Sequence, residues 1–170
     1  MLARNEIIFK WSLYAGAATL MLLFQGFLLQ RLSFWGVIPF LYPALAAVVG
    51  NYESPVPSTI FGLGLGVVCD LLLPGSIPCL YTLMFPLAGL SGALIAKSLL
   101  KAGFLCALVS TAAAFLLTDL FRCLLLWAGG KPAWGAGLWL MVQEFLVTAP
   151  FLLLVVPLFS WVYRRVHIYD

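Results

Sequence analysis

The sequence predicts an all-α integral membrane protein: a single domain over residues 1–170, built as a bundle of six transmembrane helices with short loops. Three observations carry this reading. The chain is 64% hydrophobic and only 9% charged, with a mean hydropathy of +1.11. Soluble domains hold about 25% charged and 45–50% apolar residues, and a chain of 170 residues has too little interior to hide the surplus from water. Apolar residues also gather into runs close to the roughly 20-residue length that crosses a bilayer as a helix. Finally, no segment alternates polar with apolar over the length that a lipid-facing barrel strand requires.

Reading between charges and turn formers gives spans at residues 11–29, 34–49, 56–73, 77–96, 102–127 and 136–163. The first is a retained helix. Its uncharged run is too long for a signal-peptide core, and no small-x-small cleavage site follows it. The second span is short, and Pro39 and Pro43 make its start irregular. The third carries Gly62, Gly64 and Gly66 and runs into Asp70; the fourth offers Gly89 and Ala93 as a small-x-x-x-small pair. Asp119 and Arg122 lie in the fifth span and Glu144 in the sixth, which is long and holds Pro150 and Pro157, so it is expected to tilt or kink. Connections at 30–33, 50–55, 74–76, 97–101 and 128–135 are short enough to make sequential helices antiparallel neighbours. No internal repeat is visible, so an inverted-repeat transporter architecture has no support.

Six passes put both termini on one side. That side collects Arg4, Lys10, Lys97, Lys101, Arg164 and Arg165, against Arg31 and Lys131 on the other, with Arg122 set aside as intramembrane. The positive-inside rule then places both termini in the cytoplasm. Tryptophans agree: Trp11 and Trp161 mark the inner boundary, and Trp35, Trp127 and Trp134 the outer one. The net charge of +3 is therefore a topology signal, and no nucleic-acid partner is expected.

Asp70 is the most informative residue. An aspartate at the centre of a membrane helix costs about 2.5–3.5 kcal/mol to insert, so a lone acid in so apolar a segment needs a reason. The Gly62-x-Gly64-x-Gly66 run beside it cannot be a dinucleotide loop, since no βαβ unit surrounds it. In a membrane it signals close helix–helix approach, within the chain or toward a partner. Asp119 and Arg122, three residues apart, share a helix face and can pair. Together with Glu144, about 12 Å into its span at 1.5 Å per residue, they form an intramembrane polar cluster in the outer half of the bilayer. Gln25, Gln30 and Gln143 lie on or near the same side. Two readings stay open for the cluster: a network that locks the bundle, or a site for a partner helix or a small ligand. Cys69, Cys79, Cys106 and Cys123 show no metal or redox spacing and read as small hydrophobic residues. His167 reads as an interfacial tail residue, and no nucleophile–base pair, metal-ligand spacing or phosphate loop appears. The expectation is a non-enzyme without cofactor or metal.

The stretch Phe61-Gly-Leu-Gly-Leu-Gly-Val-Val-Cys-Asp70 resembles the glycine-rich span of the rod shape-determining protein MreD family, which runs into G-x-x-x-D. The following Leu71-Leu-Leu-Pro-Gly-Ser-Ile-Pro-Cys-Leu-Tyr-Thr-Leu83 is similar to that family's short turn and next apolar helix. Leu28-Leu-Gln30, Pro39 and the closing Arg164-Arg165 extend the likeness over nearly the whole chain; Pro78 departs from it, where the family more often has glycine. Arg122 and Glu144 match no motif of the family. The resemblance implies a non-catalytic scaffold of the peptidoglycan elongation machinery in the bacterial inner membrane. It would bind MreC, and through it MreB, RodA and an elongation penicillin-binding protein. Gly62, Gly66 and Asp70 carry over as helix-packing or partner-contact residues. The MreD fold is similar to that of the substrate-binding subunits of energy-coupling factor vitamin transporters, and this gives the alternative reading. Under it the outer polar cluster with Trp134 and Trp139 would hold a vitamin, and Ala15, Ala18 and Thr19 would face the coupling subunit. The loops are short for a lid over such a pocket.

Overall fold

The structure, a computed structural model, describes residues 4–73, 77–130 and 134–166. The 74–76 connection, Lys131 and His167 lie outside these residues, as does the Arg4 side chain. Among the described residues the chain is helical, without a β-strand: α1 (Arg4–Phe27), α2 (Tyr42–Tyr52), α3 (Pro55–Leu72), α4 (Leu80–Ser98), α5 (Phe104–Ala128), α6 (Trp134–Thr148) and α7 (Leu152–Val166). Short 3-10 turns follow α1 at Leu29–Arg31 and join α6 to α7 at Ala149–Phe151. Five helical stretches among the described residues are long and apolar enough to cross a membrane: α1, α3, α4, α5, and α6 with α7 taken together. The chain is a multi-pass membrane protein.

The second segment departs from the expected spanning helix over 34–49. The helix there, Tyr42–Tyr52, has only 11 residues, about 16 Å at 1.5 Å per residue, half of a hydrocarbon core of about 30 Å. Proline explains where α2 begins. Pro43 falls in its first turn, where a missing N–H costs nothing. Pro39 has no N–H to give and disfavours helical backbone before it, so the helix cannot extend backwards. Instead, residues 32–41 form a tight turn in which Phe34 and Val37 exchange both backbone hydrogen bonds at 2.9 Å. Trp35 and Gly36, at its tip, both have positive φ (53° and 79°), as a tight hairpin turn of the primed type needs.

What α2 lacks in length it makes up in burial. Every residue from Tyr42 to Asn51 is buried, the mark of a helix enclosed on all sides. It packs against α3, α4, α5 and α7. Small residues set its distance from α4: a Cβ added at Gly50 would overlap the Gly89 carbonyl, and one at Gly92 would overlap that of Ala47. The α3–α4 contact is built the same way. A Cβ at Gly62 would overlap the Phe85 carbonyl, and one at Gly66 would sit 2.5 Å from the Tyr81 carbonyl oxygen. Helices α2, α3 and α4 therefore meet backbone to backbone, where lipid gives no hydrophobic drive and close packing must supply the attraction.

Aromatic side chains fasten α1 to this centre. Trp11 and Tyr14 pack on Phe61 of α3, and Tyr14 stacks on Phe159 of α7 at 6.1 Å. An ion pair joins Lys10 Nζ to Glu53 Oε2 at 2.6 Å, with the Glu53 side chain only 5% exposed. The long sixth span is interrupted as its prolines suggest. Pro150 sits in the 3-10 turn between α6 and α7, while Pro157 stays inside α7.

Candidate functional site

Two arrangements hold Asp70, Asp119, Arg122 and Glu144, both at the end of the bundle where α1 and α3 finish and α4 starts. The first is centred on Asp70, in the last turn of α3. Its Oδ2 accepts hydrogen bonds from the Thr82 backbone N–H at 2.7 Å and from the Thr82 hydroxyl at 2.6 Å. Its Oδ1 accepts the Tyr81 N–H at 3.2 Å. Tyr81 and Thr82 are in the first turn of α4, whose N–H groups have no partner inside their own helix. Asp70 thus caps a neighbouring helix rather than its own, with its charge against the positive end of the α4 dipole. The carboxylate that looked expensive in sequence is satisfied by three donors.

The second arrangement is a cavity of about 500 Å³. Its walls come from the end of α1, residues 36–43, the first turn of α4, and the facing sides of α5 and α6. The turn before α2 is held in place by side chains from elsewhere. Gln25 of α1 spans the unwound backbone: its Nε2 donates to the Pro39 carbonyl at 2.6 Å and its Oε1 accepts the Leu41 N–H at 3.1 Å. The Phe40 N–H donates to Thr148 Oγ1 at 3.0 Å. Non-helical backbone at membrane depth is tolerated only when buried in protein or lining a cavity with its polar groups satisfied. Here both conditions hold.

Asp119, Arg122 and Glu144 all line this cavity. Arg122 Nη1 donates to Asp119 Oδ1 at 3.2 Å. The two side chains differ in exposure, 38% for Arg122 and 6% for Asp119. Asp119 Oδ2 is buried with no hydrogen-bond partner among the described residues. Glu144, from α6, stands within electrostatic reach of both. Phe40, Tyr81 and Phe115 add aromatic wall.

No family model, curated protein or solved structure matches this chain.

The structure places the residues singled out in the sequence in two groups. Gly62, Gly66 and Asp70 are all engaged with α4; Asp119, Arg122 and Glu144 share the cavity with Gln25 and Gln30. Trp139 is 64% exposed, and neither it nor Trp134 lines the cavity. Ala18 is buried, whereas Ala15 and Thr19 face outward, so the three do not form one exposed face. The sequence reading missed Thr148, Thr82 and the turn at residues 34–37. The Pro39/Pro43 pair signalled the turn and Thr148, since a polar partner must appear wherever proline unwinds backbone inside a membrane; no sequence signal tied Thr82 to Asp70.

Proposed function

We propose that this chain is a non-catalytic scaffold of the MreD type. In this reading it sits in the bacterial cytoplasmic membrane with both termini inside. It holds the peptidoglycan elongation machinery together by binding MreC, and through it MreB, RodA and an elongation penicillin-binding protein. The observation that carries the reading is the joint use of the residues behind the resemblance. Gly62, Gly66 and Asp70 form one continuous lock between α3 and the start of α4. A scaffold needs such a rigid body, because a platform that yields under its partner spends binding energy on its own ordering. With both glycines occupied by α4, MreC's single helix would meet the lipid-facing side of the bundle.

The cavity favours a second reading, a substrate-binding subunit of an energy-coupling factor vitamin transporter. Its volume lies in the range of about 300–1,000 Å³ usual for small-molecule sites. Affinity purification of the chain from native membranes, with mass spectrometry of what accompanies it, separates the two. Recovery of MreC and cell-wall synthases is the expected result. Recovery of paired coupling ATPases would overturn the scaffold and install the transporter.

A further inference from the structure

We propose that the cavity between α1, α2, α4, α5 and α6 is a binding site for a small organic cation that carries N–H donors on an aromatic or alkyl body. The argument starts from Asp119. Its side chain is 6% exposed and lines the cavity, and its Oδ2 has no hydrogen-bond partner among the described residues. A buried acceptor left unpaired costs free energy that a bound donor recovers. A carboxylate oxygen can only accept, so the missing group is an N–H or O–H.

Charge selects between them. Two carboxylates and one guanidinium line the space, and the guanidinium gives one of its five N–H donors to Asp119 Oδ1. Glu144 makes no hydrogen bond among the described residues and supplies a second carboxyl group. The balance favours a positive guest over a neutral or negative one. The walls fit the rest of it: Phe40, Tyr81 and Phe115 line the space beside an apolar body or the cation itself. The site uses neither Gly62, Gly66 nor Asp70, and shares only Tyr81 with that lock.

The test is calorimetric titration of the full chain in lipid nanodiscs, with empty nanodiscs as the partition control. Three probes of one shape are used: benzylammonium, benzyl alcohol and benzoate. Benzylammonium should bind about tenfold or more tightly than either of the others, the gain of a charge-assisted hydrogen bond over a neutral one. Asp119→Asn, which keeps the shape and removes the charge, should erase that preference. Leu140→Trp, which fills the cavity from α6 and leaves both carboxylates intact, should abolish binding of all three. Equal binding of the probes, no binding of any, or a preference for benzoate would overturn the proposal. So would benzylammonium binding that survives Leu140→Trp. The wild-type series decides even if Asp119→Asn does not fold. None of these outcomes changes what co-purifies with the chain, so failure here is distinct from failure of the scaffold reading.

Discussion

Asp70 shows how much a residue's meaning depends on a partner that the sequence does not name. Its cost as a lone acid was plain from the apolar stretch around it; that Tyr81 and Thr82 offset the cost was not, because the packing of α4 on α3 decides which N–H groups meet the carboxylate. Asp70→Ala should leave two N–H groups and one hydroxyl of α4 without this acceptor. The loss of a cap costs about 0.5–2 kcal/mol, so unfolding in mild detergent should come at lower denaturant, with Asp70→Asn in between. On the scaffold reading the same variant should still insert but recover less MreC. Unchanged stability in Asp70→Ala would mean that water replaces the carboxylate and that the capping role is idle. The Asp119–Arg122 contact was legible from spacing alone, since residues three apart share a helix face. The Lys10–Glu53 pair was not. Lys10 read as a topology charge and Glu53 as a turn residue, and 43 positions separate them.

At the scale of the element, the long apolar helices were readable because hydropathy and length decide them. The short one was only half readable. Pro39 and Pro43 announce an irregular start, but hydropathy reads 34–49 as a full pass, because it cannot distinguish residues facing lipid from residues facing protein. α2 faces protein throughout. The glycine pattern carried a similar ambiguity. Gly62 and Gly66 fit a partner-facing groove as well as an internal seam, and their seats against Phe85 and Tyr81 place them in the seam. Gly66→Leu should therefore push α3 off α4, with an overpacking cost of about 1–3 kcal/mol visible as a lower unfolding midpoint. Gly64→Leu, with nothing within 4 Å of an added Cβ, should leave the midpoint unchanged. Equal effects of the two would refute the seam.

For the whole molecule, the crossing directions of the helices follow from the chain's alternation, while the side on which the termini lie rests on charge. If the basic ends are cytoplasmic, Ser33→Cys in a Cys79→Ser background should react with a membrane-impermeant maleimide in intact cells. Ser98→Cys in the same background should react only after permeabilisation. The opposite pattern would invert the topology. Both serines are exposed in the structure, at opposite ends of the bundle.

The bond from Phe40 to Thr148 has a consequence in time. The two residues are 108 positions apart, and ribosomes add about 5–20 residues per second. For roughly 5–20 seconds of synthesis the unwound strand before α2 exists without the hydroxyl that later accepts its N–H. Through that interval Gln25, already made, is its only side-chain support among the described contacts. The nascent chain must therefore be sheltered from lipid, by the insertion machinery or by water held in the forming cavity, until its last two helices arrive. A ribosome that stalls before residue 148 would leave the Phe40 N–H without the Thr148 hydroxyl that accepts it.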